Sequence, residues 1–299
     1  MTESSWLYEF PQLQRSELRD IRKTLDSGYR QFSREYGEMI ESFFDPLLQF
    51  LVWFENLLLA TPWWLIIAII SVIAYLASRS WKLSLGVIVS FSLIGYFGMW
   101  DDTMRTMSII LVCTLLAILI GIPIGILMSR SNRAQAIITP MLDVMQTMPA
   151  FVYLIPVVML LGIGKIPGII AVIIYAIPPV IRLTNLGIRL VDQDVLEAST
   201  AYGASSVQRL LGVQIPLAMP TIMAGINQTI MMALSMVVIA SMIGVKGLGQ
   251  PVLKSITNQY FTLGLFNGLA IVALAIVFDR ISQAHAKRTQ RHMEGVQNG

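Results

Sequence analysis

The residues best suited to chemistry lie in a polar segment that interrupts the apolar C-terminal half of the chain. It reads Glu197-Ala198-Ser199-Thr200-Ala201-Tyr202-Gly203-Ala204, and Ile215-Pro216-Leu217-Ala218-Met219-Pro220 follows closely. Apolar and small residues recur there at helical spacing, which predicts a short helix outside the bilayer. A compact helix between two membrane spans is well placed to meet a soluble partner. An ordinary loop helix resting on lipid headgroups fits the same pattern.

The side chains of this segment suit recognition. Glu197 can accept charge-assisted hydrogen bonds, while Ala198 and Gly203 permit close approach of another surface. Pro216 and Pro220 would fix the elbow from this helix into the next span. The alternative for Glu197 is a local role, in which it caps or charges the first turn of its helix.

Catalytic chemistry finds no support in the residue pattern. The Gly164-Lys165-Ile166 run departs from a Walker A loop, and Met159 occupies the position of the first P-loop glycine, so the chain is predicted not to bind ATP. The two histidines, His285 and His292, lie in the basic C-terminal tail, far along the chain from any serine or cysteine arrangement. No carboxylate–histidine set suggests a metal site. We therefore predict no catalytic residue, metal or cofactor in this chain.

The composition is that of a membrane protein. Of 299 residues, 55% are hydrophobic and 13% charged, and the mean hydropathy is +0.68, too apolar for a soluble domain. The basic residues are scattered in short loops and in the tail, which argues against nucleic-acid binding. The single cysteine, Cys113, lies in an apolar segment and excludes an internal disulfide. Residues 1–10 lack the basic and apolar regions of a signal peptide.

Hydropathy predicts an all-α polytopic protein with about seven transmembrane helices. Residues 1–45 are predicted to form an amphipathic helical tail outside the bilayer, and 46–60, which contain Glu55, an interfacial helix. The predicted spans are 62–78, 82–100, 107–128, 140–162, 167–184, 217–243 and 262–281. The predicted regions are an acidic tail with an interfacial helix (1–60), accessory membrane helices (61–103), the main membrane domain (104–283) and a basic cytoplasmic tail (284–299).

The basic residues predict the orientation, with the N-terminus outside and the C-terminus in the cytoplasm. Eleven basic residues then fall inside and four outside, a positive-inside bias. The inside set is Arg79, Lys82, Arg130, Arg133, Arg182, Arg189, Arg209, Arg280, Lys287, Arg288 and Arg291. The outside set is Arg105, Lys165, Lys246 and Lys254. This orientation places the segment around Glu197 in the cytoplasm.

Polar residues and prolines inside the spans mark a candidate translocation path. Such groups at membrane depth face other helices or a water-filled cavity. For any single residue of this kind, packing between helices is the stronger interpretation. The residues taken together favour a path between the helices of two subunits. The candidates are Gln146, Thr147, Pro149, Asn227, Gln228, Thr229 and Ser235. Two Gly-x-x-x-Gly pairs, Gly121/Gly125 and Gly264/Gly268, predict close helix packing.

Four stretches carry a resemblance to a known family. Glu-Ala-x-x-x-x-Gly followed by an apolar-Pro-x-x-x-Pro run resembles the cytoplasmic coupling segment of binding-protein-dependent ABC importer permeases. Ser199 stands where the family usually has a second alanine. Residues 143–151, 217–229 and 233–243 are similar to permeases of the glycine betaine/proline betaine type, and the resemblance covers roughly residues 80–283.

The resemblance implies a function, partners and site residues. The fold would contain a permease core of about five spans and a cytoplasmic coupling helix. The chain would be the membrane-spanning subunit of an ATP-driven importer of betaine-type compatible solutes in the bacterial inner membrane. Its partners would be two copies of a cytoplasmic ATPase, which binds the ATP, an extracytoplasmic binding protein and a second permease copy. The implied coupling residues are Glu197, Ala198, Ser199, Tyr202, Gly203, Ala204, Pro216 and Pro220.

Two other classes of protein remain as alternatives. An ion-coupled secondary transporter of quaternary ammonium solutes would need an intramembrane ion or proton site. Asp143 and Asp279 are the acids nearest the spans, and both are predicted near cytoplasmic ends, where snorkelling or capping accounts for them. A solute channel would need neither an ATPase nor a binding protein, and it leaves the coupling segment unexplained.

Overall fold

The structure, a computed structural model, describes residues 12–297, with side chains for 12–284 and 286. The predicted features of residues 1–10 and of the side chains of His285 and His292 lie outside this description. All regular structure between residues 12 and 297 is helical, which confirms the all-α prediction. The helices are α1 (Arg15–Ala60), α2 (Trp63–Ser78), α3 (Trp81–Tyr96), α4 (Trp100–Arg130), α5 (Asn132–Thr147), α6 (Ala150–Leu161), α7 (Lys165–Ala176), α8 (Pro178–Arg189), α9 (Gln193–Ala201), α10 (Ser206–Arg209), α11 (Ile215–Ala240), α12 (Gly249–Asn258) and α13 (Phe261–Gln297).

Several of these helices are long and apolar enough to cross a membrane. Within the described residues they are α1, α4, the α7–α8 pair, the stretch 206–243 and the stretch 261–284. The predicted span 140–162 is instead divided into α5 and α6, which meet at an angle of 100°. Helices α2 and α3 are apolar and pack against each other, but each has only 16 residues. At 1.5 Å per residue they are about 24 Å long, slightly shorter than the hydrocarbon core.

Glycines bring α4, α8 and α11 into close contact at the centre of the membrane domain. A Cβ atom at Gly125 of α4 would lie 2.6 Å from the Cβ of Thr184 and 2.8 Å from the Ile181 carbonyl of α8. A Cβ at Gly187 of α8 would lie 2.9 Å from the Cβ of Thr221 on α11. Small residues at helix crossings allow the dispersion contacts that hold helices together in lipid.

The second Gly-x-x-x-Gly pair behaves differently at its two positions. A Cβ at Gly264 would meet the Ser255 hydroxyl of α12 at 2.4 Å, whereas a Cβ at Gly268 would have no neighbour within 4 Å. The spacing therefore identifies a close approach at Gly264 only, and that approach is to a short helix, α12, which the sequence pattern did not predict.

A buried carboxylate joins α1 to the rest of the bundle. We call the end at which α4 and α7 begin the outer end, after the orientation predicted from the basic residues. Glu55 of α1 is 7% exposed. Its carboxylate accepts a hydrogen bond from Lys165 Nζ at 2.6 Å and lies 3.7 Å from Arg105 Nε. Two cations from different helices thus compensate the desolvation of one buried acid.

The loop between α11 and α12 is fastened to the outer end of α4. The Leu248 backbone N–H donates to Thr106 Oγ1 at 2.9 Å. A Cβ at Gly247 would lie 2.5 Å from that oxygen, so glycine is required by space as well as by its φ of +147°. Gly244 and Lys246 of the same loop remain exposed. The loop is therefore partly packed and partly open to the outside.

Candidate functional site

Helix α9 forms the centre of the polar segment and lies entirely on the surface. None of its nine residues is buried, and Glu197 and Ala198 are exposed. Its N-terminus is capped by Asp192, whose carboxylate accepts the Asp194 N–H at 2.9 Å. Glu197 is therefore not the capping residue, and its carboxylate is available to a partner.

Gly203 ends this helix in a left-handed conformation. Its φ is +81°, and its N–H donates to the Thr200 carbonyl at 2.9 Å. A Cβ added at Gly203 would find nothing within 4 Å in this chain. The preceding residue, Tyr202, is 94% exposed. The Ala204 N–H donates a further hydrogen bond of this turn, to the Ser199 carbonyl. The turn thus presents an aromatic ring beside an open gap.

The short helix α10 folds back against α9. A capping box starts it, with Ser205 and Gln208 bonding each other's backbone N–H groups. Arg209 at its end donates from Nη1 to Thr200 Oγ1 at 2.9 Å. A polar cleft of about 420 Å³ opens between the two helices, and Glu197 and Gln214 contribute to its lining. The segment is therefore one structured unit that shows its polar surface to the solvent.

The elbow after α10 contains a wide helical turn. Residues 210–214 form a π-helical turn that leads directly into α11. Pro216 has no N–H to donate to the Gly212 carbonyl, so the regular hydrogen-bond ladder is interrupted here. Pro216 is exposed at the first turn of α11, and Pro220 is partly buried inside it. Only Pro216 therefore lies at the predicted elbow, and Pro220 lies inside the helix that follows.

Arg189 fixes the other end of the segment, a role that sequence reasoning did not assign. From the last turn of α8 its guanidinium donates to the Met128 carbonyl at 2.8 Å and to Asn132 Oδ1 at 2.9 Å. A third bond joins its Nε to Asn185 Oδ1 at 3.0 Å. Arg189 therefore ties the exit of α8 to the end of α4. No local pattern in the sequence marks this role.

The structure separates the path candidates into two groups. The first group is exposed. Some of its members surround the bend between α5 and α6, and the others lie on one face of α11. Gln228 and Ser235 are seven residues apart and share that face. The exposed candidates are Gln146, Thr147, Pro149, Gln228 and Ser235. Helix α6 contacts α11, so the two parts of this group lie on elements that pack together.

The second group points into the protomer. Asn227 donates from Nδ2 to Asp279 Oδ1 at 3.0 Å and accepts a bond from Ser282, so it joins α11 to α13. Thr229 is fully buried, and its hydroxyl has no hydrogen-bond partner in the described part of the chain. These two residues contact neighbouring helices rather than an open surface.

Tyr153 holds the bend between α5 and α6 and was missed by sequence reasoning. Pro149 cannot donate a hydrogen bond to the Met145 carbonyl four residues earlier. The Tyr153 hydroxyl donates to that carbonyl instead. The Tyr153 ring also meets the Tyr175 ring of α7 edge to face, with centroids 5.7 Å apart. A tyrosine four residues after a proline was the signal, since it can supply the donor that the proline lacks.

The two acids nearest the spans are both paired. Asp143 of α5 forms an ion pair with Arg182 of α8. Asp279 accepts hydrogen bonds from Asn227 and, at 2.7 Å, from Gln283 Nε2. Both carboxylates therefore have protein partners, in place of the snorkelling or capping expected from the sequence.

Comparison with known proteins identifies the family. Residues 117–291 match the family described as binding-protein-dependent transport system inner membrane component. The chain belongs to this family. The matched range contains the whole polar segment and all the path candidates, and it leaves α1, α2 and α3 outside.

Relatives of the family share much of the sequence. The chain is 52% identical over 231 residues to the glycine betaine/proline betaine transport system permease protein ProW of Escherichia coli, a match that covers 77% of this chain and 65% of that relative. The chain thus spans less than two thirds of that relative's length. It is 44% identical over 245 residues to the glycine betaine transport system permease protein OpuAB of Bacillus subtilis, covering 81% of this chain and 86% of the relative.

A solved structure shows the same fold. An inward-facing form of the MetNI methionine ABC transporter superposes with a TM-score of 0.58 at 17% identity, over 65% of this chain and 97% of the compared chain. At this identity the likeness concerns the fold alone. It confirms the prediction of an ABC permease architecture.

Proposed function

We propose that this chain is the membrane-spanning subunit of an ATP-driven, binding-protein-dependent importer of betaine-type compatible solutes, acting in osmoprotection. The observation that carries the proposal is the exposed α9 unit on a chain of the permease family. Its surface offers a carboxylate, an aromatic ring and an open glycine turn to a cytoplasmic partner. The names of the relatives supply the substrate class.

The ATPase would act on the membrane helices through α9. Two copies of a separate ATPase subunit would bind and hydrolyse ATP and dock at Glu197, Tyr202 and Gly203. Because α8 enters this unit and α11 leaves it, a displacement of α9 is transmitted to both helices. Their glycine-mediated contacts pass the displacement on to α4. Closure of the ATPases would thus favour the outward-facing state, and hydrolysis would reset it.

A second copy of the chain would complete the translocation path. The exposed polar face with Gln228 and Ser235, next to the α5–α6 bend, is open within one protomer. Two such faces would enclose a polar route that one protomer cannot form. A binding protein would deliver substrate at the outer end, with the N-terminus outside and the C-terminus in the cytoplasm. We assign selectivity mainly to that binding protein.

Reconstituted transport tests the proposal. Liposomes containing this chain and its cognate ATPase, with ATP inside and binding protein outside, are expected to accumulate labelled glycine betaine. Omission of the ATPase, the binding protein or ATP should each abolish accumulation. Uptake by this chain alone, whether downhill or driven by an ion gradient, would overturn the importer assignment.

The paired acid Asp279 allows a test of the ion-coupled alternative. Asp279→Asn keeps an oxygen that accepts from Asn227 and Gln283, so we expect the rate of ATP-driven uptake to stay within about twofold of the parent. Gln283→Leu is the matched control, because it removes one of these bonds and leaves the charge. Loss of uptake with Asp279→Asn but not with Gln283→Leu would show that the carboxylate charge is required, as in a symporter.

A further inference from the structure

Helix α1 contacts the bundle along one stripe of its surface, from Tyr29 to Glu55. The Ser33 hydroxyl donates to the Leu160 carbonyl at 3.1 Å, in the last turn of α6. A Cβ at Gly37 would lie 3.2 Å from the same carbonyl. Further along, Glu55 pairs with Lys165 and Arg105, at the beginnings of α7 and α4.

The length of α1 between these contacts decides its direction. Residues 33 and 55 belong to one continuous helix, which contains Pro46. The path along its axis between them is about 33 Å, as much as the thickness of the hydrocarbon core. A helix that crossed the bilayer would meet the inner ends of its neighbours over that length. Helix α1 instead meets the last two turns of α6 and the first turns of α7 and α4, all towards the outer end. It therefore runs along the bundle's outer rim, although its length and hydropathy alone would permit a span.

A second stripe of α1 is apolar and exposed. Its members recur at intervals of three, four and seven residues, which places them on one face of the helix. Several are aromatic, and Phe43 is 77% and Met39 61% exposed. The stripe consists of Leu18, Ile21, Leu25, Phe32, Tyr36, Met39, Phe43, Phe50, Trp53 and Leu57.

Charged residues occupy the face opposite this stripe. At 100° per residue, Arg30, Arg34, Glu38, Glu41 and Asp45 lie roughly 160–240° from Phe32, and all five are exposed. Up to Asp45, one side of α1 is thus apolar, the opposite side is charged, and the bundle contacts lie between them. This is the arrangement of a helix that lies in the plane of a membrane surface.

We propose that α1 lies in the membrane–water interface at the outer end, with its apolar stripe among the lipids over its whole length. The sequence had placed residues 1–45 outside the bilayer. Continuity supports a lipid partner, because only two residues separate the end of α1 from Trp63, where the apolar helix α2 begins. The Glu55 ion pairs hold the helix at this level. The inference does not depend on the transported solute.

Spin labels at single cysteines test this placement in the full chain in lipid nanodiscs. Labels at Phe32→Cys, Met39→Cys and Phe50→Cys report the stripe, and Glu41→Cys is the matched control on the charged face. Cys113 is completely buried, and labelling of the parent chain measures its background. Collision rates with oxygen and with a water-soluble nickel complex give the depth of each label.

The three stripe labels are expected at one shallow depth, within about 5 Å of each other, one helical turn. The Glu41 label should collide mainly with the nickel complex. A steady change of depth over the roughly 27 Å between positions 32 and 50 would show a membrane-crossing helix. Nickel access at all stripe positions would show a solvated arm, and protection from both reagents would show that protein covers the stripe. Each of these results would overturn the proposal.

Discussion

Gly125→Leu is expected to prevent folding of the membrane domain into a monodisperse species. A Cβ at this position would lie 2.8 Å from the backbone carbonyl of Ile181, which cannot rotate away as a side chain can. Helices α4 and α8 would have to separate, and the contacts of α8 with α11 would change with them. The measurement is size-exclusion chromatography of the detergent-solubilised chain after confirmed membrane insertion.

A milder variant keeps this prediction testable if the leucine variant fails to accumulate. Gly125→Ala is expected to cost about 2 kcal/mol, as overpacking usually does, and to lower the thermal midpoint by roughly 4–8 °C. Gly86→Leu and Gly86→Ala are the matched controls, since a Cβ at Gly86 in the apolar helix α3 has nothing within 4 Å. Equal midpoints for the Gly125 and Gly86 variants would contradict the close α4–α8 crossing.

The sequence predicted the helical class and the location of the polar surface segment because both depend on local patterns. Long apolar runs identify membrane helices, and the polar interruption around Glu197 coincides with α9. The fold-back of α10 through Arg209 and Thr200 was not predictable, because one hydrogen bond between side chains nine residues apart has no periodic signature. The anchoring of Arg189 to Met128 likewise depends on contacts 61 residues apart.

The bend between α5 and α6 shows why an apolar run can be misinterpreted. Residues 140–162 are apolar enough to predict one continuous span, but Pro149 removes the hydrogen bond that would continue the helix. The angle of 100° then depends on Tyr153, which satisfies the freed carbonyl, and on its contact with Tyr175. A hydropathy profile averages over many consecutive residues and is therefore insensitive to these three side chains.

The path candidates show a similar limit. Asn227 and Gln228 are adjacent in sequence and equally polar, so composition treats them alike. The helix turns 100° between them, and Asn227 joins Asp279 while Gln228 is exposed. Only the position of α13 beside α11 decides which of the two is exposed.

Gly203→Val is expected to lower ATP-driven uptake by at least about tenfold, a coupling loss of about 1.4 kcal/mol, while membrane insertion is retained. A β-branched side chain there fills the gap beside Tyr202 and blocks close approach of the ATPase. It also strains the backbone, because φ at this position is +81°, at a cost of roughly 1–2 kcal/mol. Uptake and ATPase stimulation in proteoliposomes measure the effect.

Gly98→Val separates lost docking from backbone strain. Gly98 has a φ of +75°, and a Cβ there also finds nothing within 4 Å, so the two substitutions impose similar strain in similar open space. Gly98 lies at the outer end, in the turn between α3 and α4, and the predicted orientation places this turn away from a cytoplasmic partner. We expect Gly98→Val to retain uptake. Equal losses for both variants would assign the effect to strain, and full uptake with Gly203→Val would exclude this turn from the docking surface. Only a selective loss at Gly203 is consistent with α9 as the element through which ATP hydrolysis reaches the membrane helices.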